Sequence, residues 1–307
     1  MITFEKLSKR PRVFRIMTGL TLEEFSELLD KFQSSWQFFV NREFLSKERK
    51  RAYGGGRHTR LHSLEDKLLF ILIYTRIYPL MIVQGLFFGF EDSRACDWIH
   101  RLLPLLDESL GFTHTRPRRE NGRSLEEILI EYPELKEFGI TVDGIERAKR
   151  RPKDQGKQKS EYSGKKKRHT KKNVVIVSLK NRQILFLSRT RDGTVHDKRI
   201  IDEEQLDCND PTIMTATDTG FLGLKIGNAK IIMPKKNSKL HKLSDSDKEQ
   251  NRAISSHRIV AEHAIAGAKI NRSVQDVYRN MTDEINDLLM SVACGLHNFR
   301  VAHRQCF

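Results

Sequence analysis

Long apolar runs are what this sequence has least of, and mean hydropathy is −0.53. The longest candidate, Leu68 to Phe90, is broken by Arg76, Pro79 and Gln84, which excludes a membrane span. The opening MITFEKLSKRPRVF has no apolar core of the secretory kind. Cysteine is also sparse: Cys96, Cys208, Cys294 and Cys306 show no CxxC spacing, so neither a zinc site nor a disulfide framework is indicated. The expected compartment is therefore reducing, the cytoplasm. The three glycines Gly54, Gly55 and Gly56 follow no strand and precede no GK[ST]. That excludes a nucleotide-binding loop and reads as a flexible hinge. No serine nucleophile elbow occurs. Negative charge is in deficit as well, with 55 Lys and Arg against 40 Asp and Glu, a net +15. A pI near 9.7 favours a polyanionic partner, nucleic acid before membrane.

The 307 residues are enough for two domains, and the pattern changes once along the chain. Residues 18–33 read as a helix, with Thr21 as N-cap and Glu24 as its capping-box partner. After the glycine hinge, Ser63 is expected to cap a second helix, with Asp66 completing another capping box. Pro79 suits the first turn of a short one reaching about Phe87. Gly89 supplies a turn, and Ser93 is expected to cap a third helix with Trp98, Ile99, Leu102 and Leu106 on its apolar face. Three short helices with a tight glycine joint have the outline of a helix-turn-helix. Arg94, Asp97 and Arg101 would then lie on the open face, where the two arginines could read base edges. A plain three-helix bundle carries the same pattern without DNA.

Beyond a polar linker the segments become strand-like. FGITVDG is one strand, KNVVIVSLK and QILFLSRT form a hairpin across Lys180 to Arg182, and TIMTATD and AKIIMP follow a helix starting near His196-Asp197. A long helix and a final amphipathic one, with Ile285, Leu288, Leu289, Val292, Leu296 and Phe299 on one face, end the order β-β-β-α-β-β-α-α. That order matches an α/β, ribonuclease H-like arrangement. The expected organisation is a helical region over 1–50, a helix-turn-helix domain over 51–112, a linker over 113–137 and an α/β catalytic domain over 138–307.

Within HRIVAEHAIAGAKI, the residues Arg258, Glu262 and Lys269 fall at offsets of 0, 4 and 11. On a helix these side chains lie within roughly 40° of one another. Such a stripe could be an i,i+4 ion pair on a solvated face, worth a few tenths of a kcal/mol. Elsewhere two acids, Asp143 and Asp218, each end a strand-like run. Two strand-end aspartates and a helical glutamate make a hard oxygen set suited to magnesium. Two Mg2+ ions, with Mn2+ as a substitute, are the expected cofactors, bridged by Asp143 and flanked by Asp218 and Glu262. Arg258 and Lys269 would grip the neighbouring phosphates.

From Arg147 to Lys172 the chain holds thirteen Lys or Arg and two acids, Asp154 and Glu161. A solvated loop is expected there, with Lys165, Lys166, Lys167 and Arg168 available to DNA phosphates. Lys235, Lys236 and Lys239 would extend that surface. His196-Asp197 reads mainly as a helix cap, and Asp192 and Asp202 as surface acids.

Taken in order, VDGIERAKRRP, GKKKRHTKKN, DGTVHDKRI, TDTGFLGL and HRIVAEHAIAGAKI resemble the DDE transposases of prokaryotic insertion sequences, in the IS-five-like branch related to the Harbinger nucleases. That family carries Y-x2-R-x3-E-x6-K on its catalytic helix. Arg258, Glu262 and Lys269 match it, whereas Ser255 stands at the tyrosine position. The likeness spans about residues 138–300, and the helices near 63–107 resemble the domain preceding such cores. It implies cleavage of double-stranded DNA at element ends and joining of the 3′ ends to target DNA. A homodimer or larger synaptic complex, on the nucleoid of a prokaryotic host, would carry this out. Two alternatives stay open: a transposase-derived DNA-binding protein, and a nuclease that cuts without joining.

Overall fold

The computed structural model describes residues 1–46, 59–119, 125–237, 242–280 and 282–304. The glycine hinge and Lys239 lie outside the described residues. Two compact units emerge: Met1–Arg116 with Lys269–Asp276 and Thr282–Phe307, and Pro117–Ala268 with Val277–Met281.

The first unit begins with α1 (Phe4–Ser8), α2 (Pro11–Thr18) and α3 (Leu22–Val40), which runs into a π turn at Asn41–Leu45. The predicted capping box is present: the Glu24 N–H donates to Thr21 Oγ1 at 3.2 Å, and the Thr21 N–H donates to Glu24 Oε2 at 2.9 Å. Next come α4 (Leu64–Ile77), α5 (Met81–Phe88) and α6 (Asp92–Phe112). Leu68 through Thr75 are all buried, so the apolar run that opens at Leu68 is a helix enclosed on every side. Ser63 Oγ accepts from the Asp66 N–H at 3.1 Å. The Asp66 carboxylate does not close a box; it accepts the N–H of Phe4 at 2.7 Å and ties the N-terminus down.

Two expected helix starts move. Pro79 stands before the Leu80 N-cap of α5, and α6 starts at Asp92 with Glu91 as N-cap, so Ser93 is already inside it. The α5–α6 joint explains the early start. Gly89 adopts φ +77°, and a Cβ on Gly85 would stand 2.3 Å from the Phe90 carbonyl oxygen. The turn closes so tightly that helical geometry resumes at once.

The second unit contains α7 (Leu125–Glu131), α8 (Leu135–Phe138), β1 (Ile140–Ala148), α9 (Gln155–Glu161), β2 (Tyr162–Ser163) and β3 (Arg168–Ser178). It continues through β4 (Ile184–Leu187), β5 (Arg191–Asp192), α10 (Asp197–Glu203), β6 (Met214–Thr217) and β7 (Lys230–Ile232) into α11 (Asp245–Lys269). Strand β3 pairs antiparallel with β1 and β4, while β1, β6 and β7 run parallel. This is the mixed sheet of a ribonuclease H-like α/β fold, the class read from the sequence. Ile140, Val142, Val174 and Ile176 point to one face, where they pack with Leu135, Ile200, Ile201 and Phe221. Two further helices, α12 (Arg272–Gln275) and α13 (Asp283–Arg304), group with the first unit.

The basic run is not a solvated loop. It forms the end of β1, then α9, β2 and the start of β3, because its two acids have buried partners or cap a helix. Glu161, 1% exposed, receives Lys149 at 2.7 Å and Lys171 at 3.0 Å. Asp154 Oδ1 caps α9 by accepting the Lys157 N–H at 2.8 Å. Arg147, also buried, donates to Asn173 Oδ1 at 2.9 Å.

Candidate active site and DNA-facing surfaces

Parallel pairing sets Val142 beside Thr217. Asp143 and Asp218 each come one residue later, on neighbouring strands about 4.8 Å apart. Asp218 follows the end of β6, whereas Asp143, expected at a strand end, lies inside β1, which stays paired with β3 to Ala148. Strand alternation turns Asp143 away from the Val142 core face. Its Oδ1 accepts the N–H of Gly144 at 2.8 Å. Asp218 Oδ1 caps a short 3-10 turn by accepting the Gly220 N–H at 2.7 Å. Its Oδ2 lies 4.0 Å from Arg258 Nη2 on α11. One turn beyond Arg258, Glu262 is exposed, on a helix that buries Ala261, Ala264 and Ile265.

Electrostatics links the three acids. Burial raises the Asp143 carboxyl above the usual carboxylate range, and the charges of Asp218 and Glu262 push the same way. The Gly144 N–H and Arg258 oppose the rise. Among the described residues, no three of His, Cys, Asp and Glu stand close enough to enclose an ion as they are. The donor chemistry nonetheless fits a divalent ion: the set is all carboxylate oxygen, and its buried member is held against its neighbours' charge.

Asp197 is the first residue of α10, and His196 is the cap, its Nδ1 accepting the Lys198 N–H at 3.3 Å. Asp197 packs under Gly144, where a Cβ would stand 3.0 Å from Asp197 Oδ2, and pairs with Lys172 at 3.2 Å. Gly144 faces opposite to Asp143, so Asp197 braces the strand from behind. Asp192 is half-buried and accepts from Lys171 Nζ at 2.6 Å, whereas Asp202 pairs with Lys198 on α10. The sequence therefore hid Asp192 as a structural acid. Its partner lies 21 residues away, and no local signal announces the pair.

The predicted cations differ in how they are held. Lys165, Lys166, Lys167 and Arg168 are exposed at the β2–β3 turn. Lys236 is exposed, but Lys235 Nζ lies 2.5 Å from Asp247 and ties the β7 exit to α11. Lys269 ends α11, two turns past Glu262. In the first unit Arg94 and Arg101 are exposed on α6. Arg94 approaches Asp97 at 3.8 Å, and Arg101 lies over the Trp98 ring at 5.0 Å. With Arg60 and His62 they line a cavity of about 640 Å3. Trp98 stacks on Trp36, and Lys67 Nζ sits 4.9 Å from the Trp36 centroid. Burial holds Lys67 down to about 8. No local signal marks that lysine, which is buried on α4 among apolar neighbours.

Acids on two neighbouring parallel strands of a ribonuclease H-like sheet, Asp143 in β1 and Asp218 just past β6, in a chain with a helical first unit, fit a class of DNA-processing nucleases. Residues 142–298, just over half of the chain, match the family described as DDE superfamily endonuclease. Residues 59–112 match the helix-turn-helix of DDE superfamily endonuclease. The chain belongs to the DDE superfamily endonuclease family. It is 26% identical over 291 residues, 95% of each chain, to a probable transposase for insertion sequence element IS702 of Microchaete diplosiphon. No solved structure matches. Among the described residues no helix is long and apolar enough to cross a membrane.

Proposed function

We propose that this chain is a transposase that binds the ends of an insertion sequence, cleaves there and joins the 3′ ends to target DNA. The observation that carries the reading is that Asp143 and Asp218 each follow the paired Val142 and Thr217, with Arg258 of α11 beside Asp218 and with Arg258 and Glu262 both bearing on Asp143. Asp143, Asp218 and Glu262 would together hold two divalent ions, Mg2+ or Mn2+ in its place, which when bound would supply activation of the attacking water or 3′-hydroxyl and charge neutralisation at the leaving oxygen. Asp143 contributes a carboxylate already fixed by the Gly144 N–H, so little reorganisation is needed on binding. Arg258 would hold a phosphate beside the scissile one by a forked contact. Lys269, on the same helix, would hold another.

The exposed turn Lys165–Arg168, with Lys236, would track the DNA backbone without reading sequence. Arg94 and Arg101 would read base edges in the first unit, and Lys235 would contribute mainly by fixing the start of α11. End pairing would require two or more copies of the chain.

A cross-over test separates chemistry from recognition. Glu262→Gln should abolish both cleavage and joining while leaving end binding nearly intact in a band-shift assay. Arg94→Ala with Arg101→Ala should keep metal-dependent nicking of nonspecific DNA and lose preference for the ends, by about 1–3 kcal/mol per base contact. Cleavage by Glu262→Gln at the wild-type rate would overturn the assignment. Cleavage with no joining by the wild type would favour the nuclease alternative.

A further inference from the structure

Beyond Asp143, β1 and β3 stay paired as far as Ala148 and Thr170, with β5 on the other side of β3. At its far end a cavity of about 730 Å3 opens between α9 and the β2–β3 hairpin. It is lined by Arg151, Lys153, Lys159, Tyr162 and His169, with Gln155 and Gln158. Three cations, Arg151, Lys153 and Lys159, line it together with one exposed aromatic ring, Tyr162, which is 43% exposed. His169, its cross-strand partner, meets it edge to face with ring centroids 5.6 Å apart.

The walls are fixed. Glu161, the last residue of α9, is clamped by Lys149, just past β1, and Lys171 from β3. Gln158 Oε1 accepts both Nε and Nη2 of Arg151, at 3.2 and 2.9 Å, while Gln158 Nε2 donates to the Pro152 carbonyl at 2.8 Å. Thr194 Oγ1 donates to the Ser160 carbonyl at 2.7 Å, and Gly193 approaches so closely that a Cβ would stand 2.2 Å from Thr170 Oγ1. Arg151 is thus oriented in advance, and Tyr162 is held in a strand rather than on a mobile tip.

An exposed ring on a rigid strand, in a cavity lined by Arg and Lys, is the chemistry that takes an unstacked base by its face and the flanking phosphates by their charge. A double helix offers phosphates but no base face. We infer that this cavity is a subsite for unpaired nucleotides of a DNA strand, distinct from the carboxylate cluster. Five residues separate Asp143 from Ala148 along β1, which is roughly 17 Å at about 3.4 Å per residue. That is about five base steps of a strand, so the bound nucleotides would belong to the same DNA that reaches the carboxylates, a few positions from the reacting phosphate. The subsite presupposes the DNA-processing role proposed above and adds to it a preference for locally opened or single-stranded DNA near the cut.

Fluorescence anisotropy of the full chain in EDTA, with a labelled single-stranded oligonucleotide and the matching duplex, tests this. Tyr162→Ala should weaken single-strand binding roughly five- to hundredfold, the range of one lost stacking contact, and change duplex binding less than twofold. Tyr162→Phe, which keeps the ring, should bind like wild type. Lys153→Ala with Lys159→Ala should weaken both DNAs and flatten the salt dependence. The inference is overturned if Tyr162→Ala leaves single-strand binding unchanged or weakens both DNAs equally. Cleavage by Glu262→Gln, measured separately, distinguishes the two failures: loss of cleavage there with an unaltered Tyr162→Ala would remove the subsite and leave the nuclease reading standing.

Discussion

Asp143 spends stability to be where it is. Its folded carboxyl titrates above its unfolded value, chiefly through burial, so the folded state holds its proton to higher pH than the unfolded one. The penalty is absent below the unfolded pKa, grows as pH rises toward the folded one and is complete above it. In EDTA at neutral pH, Asp143→Asn should therefore melt at a higher temperature than wild type, a difference that closes in acid. Divalent ion should reverse the order: wild type gains about 2.7 kcal/mol at a metal concentration one hundred times Kd, and the variant gains little. Equal melting temperatures in EDTA across pH would deny the carboxyl its strained setting. Lys67 shows the opposite sign. Burial lowers it to about 8, so between there and its unfolded value near 10.4 the unfolded chain binds more protons and stability rises with pH. Comparing urea midpoints of wild type and Lys67→Met from pH 7.5 to 10.5 should show the wild type gaining on the variant throughout that window.

At the scale of elements, what the sequence revealed was whatever hydrophobic periodicity and local caps encode. The hairpin of β3 and β4, the start of α10 at Asp197 and the box at Thr21 all follow from neighbours within a few residues. So does the placing of Asp218 just past the end of β6, whereas Asp143, read as a strand end, lies inside β1, because pairing with β3 carries that strand on to Ala148. Most of what stayed hidden was long-range. The basic run folds because Glu161 meets Lys149 and Lys171 across two strands, a pairing that composition conceals under a surplus of charge. The start of α6 moved for a local reason that no cap preference announces: Gly85, five residues back, admits the Phe90 carbonyl, and this close backbone approach outweighs the preference of Ser93 for a cap. Gly85→Ala should accordingly destabilise the first unit by about 1–3 kcal/mol and impair end recognition more than nonspecific nicking, as read by melting and band-shift together. The β2–β3 turn makes a separate prediction. Each phosphate neutralised contributes about 0.9 to the slope of log K against log salt. Replacing Lys165, Lys166, Lys167 and Arg168 by Ala should lower that slope by up to ~3–4 on any duplex. An unchanged slope would mark the turn as a bystander.

Across the whole molecule, a net charge of +15 provides general attraction to DNA, and most of the specific chemistry is assigned to three acids that the surplus of cations offsets. The two functions fall on different stretches of chain, residues 59–112 and 142–298, which is why recognition and cleavage are expected to separate on mutation. The central claim is that Asp143, Asp218 and Glu262 act together as a divalent-metal site. Electron paramagnetic resonance of Mn2+ titrated into the full chain bound to cleavable DNA tests it most directly. The account predicts two tightly bound ions per chain in the wild type, and loss of at least one in each of Asp143→Asn, Asp218→Asn and Glu262→Gln, with DNA still bound. Wild-type occupancy in all three variants would contradict it.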